Sequence, residues 1–190
     1  MNSLIMEEIK LSDDILEKIK YFDHYSLTEE QELLIDKLIL NEELKVRYKK
    51  HGLCEECKQP RTGGSTYNDR WCQSCNAKHF QQNFKNWTSK NRDIDEYIQN
   101  SQLKAKSHKE VLEWIEYSKF ENVKCLAESV YKAIWKDGYI YCWDSKINQW
   151  ERYRENYKQG QPVTLKCLHD SQSITLEFSK EVRDFAIILI

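Results

Sequence analysis

A chain of 190 residues has room for one ordinary domain or two small ones, and two small units is the better fit. Its 40% hydrophobic and 12% aromatic residues, with only 5 Gly and 2 Pro, exclude collagen-like and low-complexity classes and leave enough apolar material for a core. The 29 Lys and Arg against 31 Asp and Glu give a net charge of -2, so bulk charge excludes a general attraction to nucleic acid or an acidic membrane.

From Ser3 to Lys20, the residues Leu4, Ile5, Ile9, Leu11, Ile15, Leu16 and Ile19 recur at helical spacing and predict one amphipathic helix or two short ones. The opening MNSLIMEEIKLSDD lacks the basic and then apolar layout of a signal peptide. No apolar run approaches the roughly 20 residues that cross a bilayer. An intracellular chain, cytoplasmic or nuclear, with no membrane partner is the expectation. Ser26 and Thr28, followed by acidic residues from Glu29 to Glu32, signal a second helix start. That helix is predicted to present Leu33, Leu34, Leu38, Leu40 and Leu44 and to end near His51-Gly52. Residues 1–50 therefore form a helical arm, acidic in balance, expected to pack with one solvated face.

Residues 51–110 carry the strongest motif, Cys54-Glu-Glu-Cys57 followed by Cys72-Gln-Ser-Cys75. Two residues between thiolates let both sulfurs face one ion from a tight knuckle, and a second knuckle completes a tetrahedron. Seven cysteines, an odd number, in a chain without a secretory signal favour metal ligation over a disulfide framework. A structural zinc site at Cys54, Cys57, Cys72 and Cys75 is expected, closed by four thiolates and without an open position for a substrate. His79 is the alternative fourth ligand. Gly63-Gly64 and Asn68-Asp69 suit the connecting loop. Lys49, Lys50, Lys58, Arg61, Arg70 and Lys78 beside Tyr67, Trp71 and Phe80 form a mixture that can contact nucleic acid, although a solvated rim is favoured and a protein partner is the leading expectation. Helices are predicted over Lys78 to Trp87 and Ser89 to Leu103, the latter with Ile94, Tyr97, Ile98 and Leu103 inward.

After Trp114 the texture becomes β-branched and aromatic. Ser129 to Trp135, Tyr139 to Trp143 and Pro162 to Leu168 predict three antiparallel strands, with turns at Lys136-Asp137-Gly138 and Asp144-Ser145-Lys146. Ile174 to Ile190 reads as a closing helix. Cys125, Cys142 and Cys167 lack ligand spacing and are expected to be small buried residues. The overall reading is α+β.

Val163-Thr164-Leu165-Lys166 in a strand, with Phe178-Ser-Lys-Glu181 following in a helix, has the layout in which a strand lysine meets a helix glutamate over nucleotide phosphates. Val130-Tyr-Lys-Ala-Ile-Trp135 precedes it in the right order. Together with Leu112-Glu-Trp-Ile115, Phe120-Glu-Asn-Val123, Tyr131-Lys-Ala-Ile-Trp-Lys-Asp-Gly138, Leu165-Lys-Cys-Leu168 and Ser171-Gln-Ser-Ile-Thr175, residues 111–190 resemble the start of the protein kinase N-lobe in a lineage-expanded group of fungal kinases. That group also carries a cysteine-knuckle segment matched by Trp71 to Cys75 and Lys78 to Gln81. The resemblance spans roughly residues 50 to 185. It implies ATP and magnesium as cofactors, Lys166 on the phosphates, Glu181 orienting it, and Val130 with Thr164 over the adenine.

Three departures shape what it implies. Cys125-Leu-Ala-Glu-Ser129 stands where the family has a glycine-rich loop, so side chains replace the close backbone approach to phosphate and Glu128 adds repulsion. Thr164 replaces alanine. No His-Arg-Asp or Asp-Phe-Gly segment occurs in the 190 residues, so catalytic residues are expected to be none and a fragment or pseudokinase is the expectation. The apolar ending Phe185 to Ile190 either packs back onto the sheet or marks a truncation, the second being favoured.

Overall fold

A computed structural model describes residues 9–63, 70–155, 159–168 and 186–189. Five α-helices precede six strands among the described residues, so the chain is α+β. Two compact units divide it, Met1–Cys75 and Asn76–Ile190.

In the first unit, α1 (Asp13–Ile19), α2 (Glu29–Leu38) and α3 (Glu42–His51) enclose a core of Leu11, Leu16, Ile19, Ile35, Ile39, Leu44 and Tyr48. Thr28 starts α2 with a reciprocal capping box: its hydroxyl accepts the Gln31 N–H at 3.2 Å while the Gln31 side chain accepts the Thr28 N–H at 3.1 Å. The single helix expected to run from there to His51 is instead two. Asn41 breaks it, because its carboxamide accepts the Leu44 N–H at 3.0 Å and so caps a new helix, while Ile39 turns extended. The inward face differs from the expected one: Ile35 and Ile39 are fully buried, whereas Leu33 and Leu40, expected inward, are 70% and 83% exposed. Gly52 ends α3 as expected, at a φ of 66° that an L side chain rarely adopts. A Cβ there would meet the His24 ring at 2.6 Å. Buried Tyr48 donates its hydroxyl to the Ile19 carbonyl at 2.9 Å, and burial pushes that phenol up to about 12.

The fourth helix, α4 (Gln73–Asn83), begins within the second cysteine knuckle, and α5 (Arg92–Lys104) lies in the second unit. Asn91 caps α5 by accepting the Asp93 and Ile94 N–H groups, and Ile94 and Ile98 are buried as predicted. All three predicted strands exist: β2 (Val130–Trp135), β3 (Tyr139–Asp144) and β5 (Gln161–Leu168). Three more accompany them: β1 (Phe120–Ala127), β4 (Gln149–Tyr153) and β6 (Ala186–Leu189). One sheet has the order β1-β2-β5-β6, antiparallel except for the parallel β5–β6 pair, and β3 pairs β4 in a separate hairpin. The expected closing helix is therefore corrected at its end, where Ala186–Leu189 pairs with Leu165–Leu168; residues 174–185 lie outside the described residues. Such an apolar run prefers a ladder because β-branched side chains fit a pleated sheet.

Phe120, Ala133, Trp135 and Leu165 form the core on one face of the larger sheet. The hairpin is attached through charge and rings. Glu113 receives the Arg152 guanidinium and accepts the Ile140 N–H at 3.1 Å, while Arg152 also donates to the Gly138 carbonyl at 2.5 Å. Burial pushes the Glu113 carboxyl above the usual range, with Arg152 pulling the other way. Trp143 and Trp150 face each other across the hairpin; Trp143 stacks on His79 at 3.8 Å and Trp150 on Phe80 at 4.4 Å. Cys142 is fully buried as expected, but Cys125 is exposed, because its pairing with Tyr131 lies beside a bulge.

Candidate metal centre and lysine-bearing sheet face

The first knuckle grows from a tight local ladder. Cys54 N–H donates to the Gln59 carbonyl at 2.8 Å, Lys58 N–H to the Cys54 carbonyl at 3.0 Å, and Arg61 N–H to the Gly52 carbonyl at 3.0 Å. Lys58 takes a φ of 59°, which closes the turn and brings Cys54 and Cys57 to one side. The second knuckle is set by the start of α4, where the Gln73 N–H donates to the Thr62 hydroxyl at 2.8 Å and satisfies a helix N-terminal donor. Cys72 immediately precedes that helix and Cys75 lies in its first turn.

The result is a cluster in which the ligand atoms of Cys54, Cys57, Cys72 and Cys75 all lie within 4.8 Å of one another. Cys54 and Cys75 sulfurs are 3.8 Å apart, and those of Cys57 and Cys72 3.6 Å. Sulfurs sharing a tetrahedral ion at about 2.3 Å are separated by roughly 3.8 Å, so the spacing fits a metal. Hydrogen bonds from Cys57, Cys72 and Cys75 hold the Cys54 thiol well below its ordinary range, while Cys54 pushes Cys72 and Cys75 up. One thiolate is solvated by three neighbours, but further ionisation crowds like charges, a repulsion that a divalent cation removes. The four cysteines can hold a metal ion. His79 lies outside that cluster and stacks on Trp143.

Sequence reasoning missed what braces this centre. Gln59 lies inside the first knuckle, and its amide makes two bonds to the backbone of Leu11, accepting that residue's N–H at 2.7 Å and donating to its carbonyl at 3.1 Å. No spacing rule marks a glutamine for this. The basic rim is largely engaged locally: Lys49 pairs with Asp36 at 2.7 Å, Lys58 donates to the Glu55 carbonyl at 2.6 Å, and Arg61 stands 3.8 Å from Glu55. Trp71 and Phe80 are buried, so neither offers a free ring to a base. Tyr67 lies outside the described residues.

On the larger sheet, register decides which predicted residues meet. Val130 pairs with Lys166 and Lys132 with Thr164, so Val130, Lys132, Thr164 and Lys166 share the face opposite the Trp135 core. The β1–β2 turn is a tight two-residue connection, Glu128-Ser129, with Ser129 at a φ of 60°. Glu181 lies outside the described residues, and so does the side chain of Cys167. No helix among the described residues is long and apolar enough to cross a membrane. No protein-family model, curated protein or solved structure matches the chain.

Proposed function

We propose that this chain is a protein kinase-like N-lobe front carried behind a structural zinc centre, able to engage a nucleotide but not to transfer phosphate with these 190 residues alone. The observation that supports it most is the register of β1, β2 and β5: three antiparallel strands in which Val130 stands directly opposite Lys166, with Thr164 two residues away on the same face. A β-branched roof beside a strand lysine is the arrangement that covers an adenine while an ammonium reaches phosphate. The tight Glu128-Ser129 turn lacks the glycine freedom that brings backbone N–H groups onto phosphate, so affinity is expected to be weak. Zinc is the metal of choice for four thiolates at this spacing.

Titration calorimetry with Mg-ATP tests the nucleotide claim. Saturable binding that Lys166→Ala weakens supports it; no heat at millimolar nucleotide removes it. A second reading, a zinc-stabilised module that binds a protein partner without nucleotide, is favoured by one observation. Leu33, Leu40 and Val46 are all more than half exposed on the helical unit. Under that reading, Leu33→Ser with Leu40→Ser abolishes partner capture, while Lys166→Ala does nothing.

A further inference from the structure

The same sheet face carries a lysine pair that the kinase resemblance does not use, in the row that ends on Thr164. Lys124 on β1 is paired directly with Lys132 on β2, and Lys132 in turn with Thr164 on β5. Facing residues in an antiparallel ladder hold their Cβ atoms about 5 Å apart, and like charges placed there destabilise the sheet. Both side chains are exposed, and neither forms an ion pair among the described residues. The neighbouring acid, Glu121, is occupied by Lys136 at 3.0 Å.

These lysines line a groove of about 860 Å³ together with Asn122, Ile134, Pro162, Thr164 and the Glu121 carboxylate that Lys136 neutralises. The bulge in β1 between Glu121 and Lys124, with Asn122 at a φ of 53°, widens the sheet beside the lysine pair. The volume falls in the range of small-molecule sites, roughly 300–1,000 Å³. Its lining divides by row: Lys124, Lys132 and Thr164 pair across one, Glu121, Ile134 and Pro162 across the next, and Asn122 lies in the bulge between them. A ligand that matches both rows has a multiply charged anionic group joined to a carbon body.

We infer that Lys124 and Lys132 form an anion site for the phosphate chain of a small phosphorylated molecule, with Asn122 and Thr164 as neutral donors. It does not depend on Lys166, which lies in a different row of the ladder. Two ammoniums converging on one phosphate chain turn a repulsive cross-strand pair into a charge-assisted clamp.

The test uses the metal-loaded full chain and magnesium-free inorganic tripolyphosphate as probe, followed by calorimetry. Lys124→Gln and Lys132→Gln are each expected to weaken binding by about tenfold, since each removes one charge-assisted hydrogen bond to the phosphate chain. Lys166→Ala should change it less than about twofold, because that lysine stands in another row. Thermal melting is a second readout: relief of like-charge repulsion should leave the glutamine variants as stable as the parent or more so. Absence of tripolyphosphate binding at millimolar concentration overturns the inference. So does loss of binding in Lys166→Ala with Lys132→Gln unaffected, an outcome that would still leave the kinase-like nucleotide site standing. ATP that binds more tightly than tripolyphosphate, with the excess abolished by Ile134→Asn, supports the carbon body; equal affinity for the two removes that part.

Discussion

At the scale of single residues, small polar side chains do more to fix this molecule than its apolar pattern suggests. Gln59 satisfies both backbone groups of Leu11, so Gln59→Ala leaves two half-buried polar groups unpaired. A loss of about 2 kcal/mol from the first unit is expected in denaturant unfolding, at the usual cost of unsatisfied groups. Glu113 is the counterpart in the second unit. Glu113→Ala would strand the Arg152 guanidinium beside Trp135 and remove the acceptor of the Ile140 N–H, for an expected loss of about 3 kcal/mol. Arg152→Met in the same background should recover part of that loss, because it removes the unpaired charge. The four-cysteine cluster was legible from spacing alone, since C-x2-C geometry is local. Gln59 and Glu113 were not, because each acts on a residue far away in sequence.

At the scale of elements, helices announced their starts better than their faces. Thr28 and Gly52 marked a beginning and an end because capping depends on neighbours within four residues. Asn41 inside the same stretch acted as a cap and split the helix, leaving Leu40 in the link between the two, while Leu33 faces away from buried Ile35 two residues on in α2. Asn41→Ala is expected to cost about 1 kcal/mol by loss of the Leu44 cap, measurable as a shift in the urea midpoint. The strands β2, β3 and β5 were readable from β-branched and aromatic runs, whereas β1 with Glu121, Asn122 and Lys124, and β4 with Gln149, Glu151 and Arg152, are broken by polar residues and resemble loops until paired. β3 pairs with β4 in a local hairpin of its own, with Trp143 opposite Trp150, a partner choice that the β3 run alone does not encode. His24 gives the helical unit a pH response. Burial first, and then Arg61, hold its imidazole below 6.5, and its Nε2 is buried without a hydrogen-bond partner. The folded state therefore keeps it neutral while the unfolded chain takes up a proton below about 6.5, so its stability contribution is lost as pH falls through that value. The stability gap between parent and His24→Gln, both metal-loaded, is expected to narrow from pH 7 to pH 5.5; a gap that stays constant would refute this.

At the scale of the whole molecule, each unit is organised by a different principle. The second has a sheet with an apolar core on one face and lysines on the other. The first has three short helices and two knuckles, whose cysteine cluster is packed as a small core of its own. Helices of 7 to 10 residues are marginal in isolation. A metal held by the four cysteines would tie residues 54–57 to 72–75 and supply the stability these short helices lack. Chelation should raise amide hydrogen exchange across Cys54–Arg61 and at Leu11, which Gln59 joins to the knuckle. Cys72→Ser should do the same without chelator. The most direct measurement is elemental analysis of the full chain purified without chelator, by plasma mass spectrometry against protein concentration. About one zinc per chain is expected, falling toward zero in Cys57→Ser with Cys72→Ser. A ratio near zero in the parent protein, with its helical unit still folded, would contradict it.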